Sequence, residues 1–263
     1  MKTENKQLFE TITTRDICYL RIPDFERTGG ILHAITTRHN NLGARKSGIR
    51  SSGDWNAVAD TLGIRTDRLI TVNQVHGEAV VRVDEQGLIS GTFIPRTIDA
   101  DSIITKSPDI AIGVETADCV PVLLFDPAVP AVAAIHAGWR GSVRKIVDKT
   151  VSRMNIEFGS CPERILAAIG PAIGPECYEV DEPVMAMVRE AFSYWGEIAT
   201  PRTKGRWGLD LVTMNLRELL KMGLLKENVH ALKLCTSCHK DLFYSFRAEG
   251  RTGRMLSLIM IRT

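Results

Sequence analysis

Residues 115–141 read ETADCVPVLLFDPAVPAVAAIHAGWRG, and this stretch decides the fold. Its two apolar runs, Val120 to Phe125 and Ala131 to Ile135, stand back to back and have the length of strands rather than helices. A helical period arrives only afterwards, with Val143, Ile146, Val147, Thr150, Val151 and Met154 at three- and four-residue steps. Working outward, further strand-like runs cover Ile31 to Thr37, Leu69 to Val75, Ala79 to Val83, Ile110 to Val114, Ile165 to Ile169, Val229 to Leu234 and Met255 to Ile261. Two more helical periods pass through Val184, Met187, Val188 and Phe192, and through Leu209, Val212, Leu216 and Leu219. Strands outnumber helices and follow one another, so the predicted class is α+β: a single-domain α/β sandwich with mixed β-sheets flanked by helices, rather than βαβ alternation. No internal repeat or long Pro/Gly/Ser linker divides the chain, apart from a possible subdivision near Pro171.

The 263 residues suffice for a sizeable core, and 44% apolar with 24% charged residues is the balance of a globular protein rather than a disordered or collagen-like one. The net charge of +2 is too small to argue for nucleic acid or a membrane as partner, although a local basic pocket for an anionic substrate remains compatible with it. Met1 to Arg15 lacks the apolar core of an export signal, so a cytoplasmic location is expected. In that setting six scattered cysteines read as reduced thiols or metal ligands rather than a disulfide framework.

Three side chains stand out. His76 in TVNQVHG and His136 in AVAAIHAGWRG each end an apolar run and precede a glycine-containing turn, and Cys119 sits immediately before another run. They lie 43 and 17 positions apart. Widely separated ligands suit a pre-built catalytic site rather than a zinc finger, and two imidazoles with one thiolate leave one position of a tetrahedral zinc ion for water or substrate. The same residues also fit a structural reading, with Cys119 a small buried hydrophobe and the histidines hydrogen-bonded strand ends.

Other motifs surround this trio. In HAGWRGS, a helix N-terminus near Ser142 with Arg140 would suit an anion such as phosphate, or simply connect strand to helix. The proline- and glycine-rich IGPAIGPECYEVDEPV makes a rigid loop that presents Cys177 and Tyr178, shaping a pocket or only a turn. CTSCHKD carries Cys235, Cys238 and His239, but haem attachment belongs to exported proteins and no second ligand pair for structural zinc is adjacent, so it reads as a turn with spare thiols. FYSFRAEGRTGR sets Arg247, Arg251 and Arg254 among Phe243, Tyr244 and Phe246, suited to stacking a base and holding phosphate, and equally to a basic hairpin.

Taken in order, VNQVHG, TADCVPVLLFDP, AAIHAGWRG, IGPAIGPECYEV and FYSFRAEGRTGR resemble the YfiH/YlmD-like family, once grouped as laccase-domain or polyphenol oxidase proteins and now regarded as purine nucleoside phosphorylases. The resemblance runs from about Ile31 to the C-terminus, and so implies an N-terminal segment over 1–30 and a catalytic domain over 31–263. It implies zinc ligands at His76, Cys119 and His136, and phosphorolysis of adenosine, inosine and methylthioadenosine with adenosine deamination as a second activity. After Arg38, a expected phosphate contact, the chain departs from the family with His39-Asn40-Asn41-Leu42-Gly43 and then ARKSGIRSSGD, which bears on substrate preference.

In phosphorolysis, Arg38 and Arg140 would hold phosphate, with Cys177 and Arg247 as further substrate-binding candidates. In deamination the same zinc would activate water for attack on C6 of adenine, and Asp118 or Glu115 would have to shuttle the proton. Three rivals stand beside this reading. Copper could enter the His2Cys set, but a multicopper oxidase also needs H-x-H pairs, which His33, His39, His230 and His239 do not form. Cys119 activated by His136 would give a metal-free hydrolase. The last rival is a non-catalytic nucleoside-binding module, with protein partners unspecified.

Overall fold

The computed structural model describes residues 8–14, 16–40, 55–89 and 97–263. Most of the unusual loop after Arg38, residues 41–54, lies outside them. The strands run in chain order as β1 (Glu10–Thr13), β2 (Ile17–Arg21), β3 (Ile31–Asn40), β4 (Leu69–Ile70), β5 (Val80–Arg82), β6 (Ser102–Thr105), β7 (Ala111–Thr116) and β8 (Val120–Asp126). They continue as β9 (Ala131–Ala137), β10 (Leu166–Ile169), β11 (Glu179–Asp181), β12 (Ala199–Pro201), β13 (Arg206–Leu209), β14 (Val229–Ala231) and β15 (Met255–Ile261).

Two six-stranded sheets form, in the orders β1-β2-β3-β15-β7-β4 and β14-β10-β8-β9-β6-β5, with a small third sheet β11-β13-β12. Both large sheets are mixed: their pairs are antiparallel except β4 with β7 in the first, and β10 with β14 and β5 with β6 in the second.

The alternation of side chains along each strand sorts the core into layers. Ile35, Ile112, Val114 and Ile259 of the first sheet share one cluster with Leu123, Phe125, Val132 and Ala134 of the second, so the sheets pack face to face. The opposite parity of the second sheet, Val122, Leu124, Ala133 and Ile135, packs against Ile146, Val147, Val151 and Met154, with Val188 and Leu219 from two further helices. On the far side, Leu32, Leu256, Leu258 and Met260 meet Trp55, Val58 and Ala59 at the helix Asn56–Leu62. The α+β sandwich flanked by helices is thus the observed architecture. Its central strands β8 and β9 are buried along their whole length, and each large aliphatic side chain there contributes roughly 1.5–3 kcal/mol by leaving water.

Several elements differ from their sequence expectation. The run Leu69 to Val75 pairs as a strand only at Leu69 and Ile70. Beyond that the Gln74 side chain replaces the ladder, donating Nε2 to the Glu115 carbonyl at 2.8 Å and accepting the Glu115 N–H at 2.7 Å. Val229 to Leu234 likewise pairs only to Ala231. The single helix expected from Val143 to Met154 is two, Trp139–Val143 and Ile146–Phe158, because Lys145 adopts a left-handed φ of 64° between them.

Caps set the ends of the other helices: Asp181 accepts the Val184 N–H ahead of Glu182–Ala191, and Asp210 accepts the Thr213 N–H ahead of Leu211–Lys221. Leu209, counted by period with that last helix, closes β13 instead. The FYSFRAEG segment is no hairpin but a short helix, Phe246–Glu249, capped by Ser245.

Around the Lys145 break lies a buried acidic pair. The Lys145 ammonium meets Glu218 at 2.7 Å, and the Tyr194 hydroxyl donates to the same carboxylate at 2.6 Å. Burial pushes the neighbouring Asp148 carboxyl up, and its hydrogen bond to and like charge with Glu218 add to the rise, to about 7. A carboxyl raised in the folded state contributes stability below the unfolded value of about 4, and that contribution is lost as pH climbs through about 7. Asp148→Asn cannot ionise. The variant is therefore expected to match the parent in urea unfolding near pH ~3 and to exceed it near pH ~8 by on the order of 1 kcal/mol after solvent screening.

Candidate metal centre

One end of the sandwich is where the chain crosses between the two large sheets. The segment 71–79 leaves β4 in the first sheet for β5 in the second, and residues 117–119 connect β7 to β8 in the same sense. His76 rides on the first crossing, Cys119 on the second, and His136 sits near the end of β9 with the parity that faces the sandwich interior. The three offer ligand atoms that all lie within 4.8 Å of one another. The imidazoles of His76 and His136 meet edge to face, with centroids 4.8 Å apart. His136 is buried, Cys119 half-buried and His76 exposed, so the group opens to solvent on the His76 side rather than lying in a sealed core.

A buried carboxylate organises this end. Asp101, fully enclosed, takes His136 Nδ1 at 2.7 Å and the backbone N–H groups of Val75, His76 and Gly77 at 3.3, 3.0 and 2.6 Å. Its burial would raise its carboxyl, but the His136 and Gly77 hydrogen bonds hold it below the usual carboxylate range. Wrapping three consecutive amides around one carboxylate forces His76 to a φ of 58°, a left-handed conformation that costs a non-glycine residue on the order of 1 kcal/mol. Because Asp101 engages Nδ1 of His136, the opposite nitrogen, Nε2, is the one left for Cys119 and for a metal.

Burial by itself would push the Cys119 thiol up, yet the imidazoles of His136 and His76 bring it down to about 6. His136 moves the other way. Burial opposes its charge, but the Cys119 thiolate and the Asp101 carboxylate raise it to about 9. Gly138 lets the following turn approach: a Cβ there would stand 3.0 Å from Cys119 Sγ and 3.2 Å from His76 Cδ2.

The remaining sequence candidates fall in different places. Tyr178 feels burial first, then the charges of Cys119, Arg247, Arg140 and Asp118, which together put its phenol above the usual range and mark one shared neighbourhood. Arg247 is exposed, lies 4.9 Å over the Tyr178 ring and donates to the Glu179 carbonyl. Arg140 is exposed and stacks 4.6 Å over Trp139. Arg38 is tied elsewhere, to Glu249 at 3.0 Å and to the carbonyls of Lys240 and Phe243. Cys177 turns away from the trio, its Sγ 3.4 Å from that of Cys238.

Asp118 and Glu115, the expected proton shuttles, are both engaged. The Asp118 carboxylate accepts the Thr236 hydroxyl at 2.6 Å and the Arg247 N–H at 2.7 Å, and Glu115 accepts the Trp55 indole N–H at 2.9 Å. The helix expected to start near Ser142 in HAGWRGS starts instead at Trp139 and is only five residues long, Trp139–Val143, while the long helix begins beyond Lys145 at Ile146. Among the described residues, no further histidine joins His76 and His136 in a metal-binding group. Sequence reasoning missed Asp101, Thr236 and the exposed apolar Val75, and no local pattern marks any of them.

Comparison with known proteins follows this geometry. The family model described as multi-copper polyphenol oxidoreductase laccase matches residues 24–262. A purine nucleoside phosphorylase from Deinococcus radiodurans is 36% identical over 261 residues, covering 94% of each chain. Adenosine deaminase RL5, from an unknown prokaryotic organism, is 34% identical over 207 residues, covering 75% of this chain and 76% of that one. The crystal structure of YfiH from Bacillus licheniformis superposes with a TM-score of 0.85 at 29% identity, covering 97% of this chain and 99% of that one. With the family model and a relative of this identity both spanning nearly its whole length, the chain belongs to the laccase-type family that contains YfiH.

Proposed function

We propose that this protein is a zinc-dependent purine nucleoside phosphorylase, acting on adenosine, inosine and methylthioadenosine, with adenosine deamination as a second activity. The observation that carries this reading is the convergence of His76, Cys119 and His136 around a point braced by Asp101, in a chain akin to proteins named for both reactions. The donor set fits a divalent borderline ion: two imidazoles, one of them fixed in tautomer by a carboxylate, and a thiol lowered into the thiolate range. Copper fits the same donors, and metal analysis separates the two. When bound, the ion supplies Lewis acidity toward the departing purine or toward water.

The chain's own residues do the rest. In phosphorolysis a phosphate oxygen bonds to C1′ of the ribose as the C1′–N9 bond breaks, and its electron pair leaves with the purine, which then takes up a proton. Arg140 and Arg247, both exposed and each stacked on a ring, are the guanidinium groups best disposed to hold the phosphate oxygens. For Arg38 to contribute, it would have to exchange Glu249 for substrate. Val75 beside His76 and Phe246 beside Arg247 are exposed at 47% and 57%, and offer apolar surface on which a purine can stack. Asp101 acts as a positioning residue, aiming His136 and holding the His76 turn.

Two outcomes test this. Adenosine with phosphate is expected to yield ribose 1-phosphate and adenine, and without phosphate a slower formation of inosine; His76→Ala should lose bound zinc and at least ~100-fold in both rates. Turnover undiminished after metal removal would instead assign the chemistry to a Cys119–His136 nucleophile pair, and no turnover in either assay would leave a nucleoside-binding module. Asp101→Asn replaces one of the two accepting oxygens by an NH2 group, so either the Val75 and Gly77 amides or the His76 amide and His136 lose their acceptor; zinc affinity should fall ~10–100-fold in a chelator competition while the far-UV circular dichroism stays that of the parent.

A further inference from the structure

The loop IGPAIGPECYEV and the turn CTSC, far apart in the chain, are fastened side by side. Ala172 and Cys235 form an isolated parallel bridge, closed by the Ala172 N–H to the Leu234 carbonyl at 3.2 Å and the Thr236 N–H to the Ala172 carbonyl at 3.1 Å. That zipper brings a third thiol to the C-x-x-C pair. Cys177 Sγ lies 3.4 Å from Cys238 Sγ, and the sulfur atoms of Cys177, Cys235 and Cys238 all fall within 4.8 Å of one another. Neighbouring thiolates repel, and a cation between them removes that cost.

Cys235 packs at the margin of the core and also has the backbone donors of a metal-binding sulfur. Its Sγ accepts the Gly174 N–H at 3.1 Å, and the backbone N–H groups of Ser237 and Cys238 also point at it. Amides two and three residues ahead aimed back at the first sulfur are how a C-x-x-C turn stabilises a bound thiolate. Gly174 is needed for this approach, since a Cβ there would lie 3.2 Å from Cys235 Cβ and 3.4 Å from its sulfur. His239 is occupied elsewhere, its Nδ1 2.9 Å from the Cys235 carbonyl oxygen. Cys238 is exposed, so an ion has a path in from solvent.

We propose that Cys177, Cys235 and Cys238 form a second cation site, distinct from His76, Cys119 and His136, that takes a thiophilic closed-shell ion, Zn2+ or Cu+. Three sulfur ligands suffice for trigonal Cu+, and tetrahedral Zn2+ would complete its shell with water. The two clusters share a wall but no ligand: Thr236, next to Cys235, donates to Asp118, next to Cys119, and Cys177 precedes Tyr178. An ion bound here pins the 170–180 loop to the 235–238 turn behind Asp118 and Tyr178. The site stands whether or not the phosphorylase reading does.

The test counts metal on the full chain, stripped of metal and kept in a non-chelating reductant, by titration with Zn2+ and separately with Cu+ against a chromophoric chelator. The parent is expected to take up two equivalents of Zn2+, and either Cys177→Ser or Cys238→Ser to take up one. His76→Ala with His136→Ala should also retain one equivalent, and in that variant Cd2+ should give the thiolate-to-metal absorption of three sulfur ligands. In the unmutated chain, bound ion should protect three more cysteines from a thiol reagent than the His76 centre alone accounts for, a readout that does not depend on any variant folding. A second equivalent that survives both serine substitutions would overturn the proposal, as would a Cys177–Cys238 disulfide found by mass spectrometry to persist in the reductant. Retention of only the Cys177-dependent equivalent would sink the first centre and leave this one standing.

Discussion

The Asp101 carboxylate is the point on which this end of the molecule turns. Burying an ionised carboxyl is expensive unless donors replace its water, and here four do so: three successive amides of the 75–77 turn and the His136 ring. Those bonds tie the entry to β6, the crossing between the sheets and the end of β9 into one unit. The left-handed backbone at His76 is tolerated because the same carboxylate repays it. Remove the charge and the His76 turn has no reason to hold its shape.

A second strained residue mirrors the first. Asp118, at a φ of 92°, stands on the other crossing, and its carboxylate is held by the Thr236 hydroxyl and the Arg247 amide while its carbonyl accepts the Ile173 N–H. Cys119 is therefore delivered to the His76 and His136 imidazoles by a turn locked from behind by three other segments. A mixed sandwich makes such a place because its strands end together where the chain changes sheets, and the side chains there escape the packing that fills the rest of β8 and β9.

The same tie-points set basic and aromatic side chains beside the site. The short helix Phe246–Glu249 is anchored by Arg247 on Asp118, which leaves Phe246 exposed beside an exposed guanidinium. Behind it, the Ala172–Cys235 bridge draws three thiols together on the far side of Asp118 and Tyr178. Sulfur thus lies on both faces of one wall, in two groups with different partners.

Much of this could be read from residue order. Val- and Ile-rich runs outnumber helical periods, which is enough for an α+β sandwich, and a histidine or cysteine at the edge of an apolar run is recognisable because its neighbours on either side are so different from it. What could not be read is anything settled by a partner at long range. Gln74 ends a strand by bonding to Glu115; Lys145 breaks a helix whose period runs straight through it; Asp101, an ordinary aspartate in sequence, meets His136 from 35 positions away. Cys177 and Cys238, 61 positions apart, seem unrelated until a backbone bridge joins their loops. Periodicity and residue type are local, so the chain alone determined the layers and the chemical kinds of side chain at their ends. Hydrogen-bond partners of buried charges and sulfurs are chosen by where the sheets cross, and only the folded structure decided those.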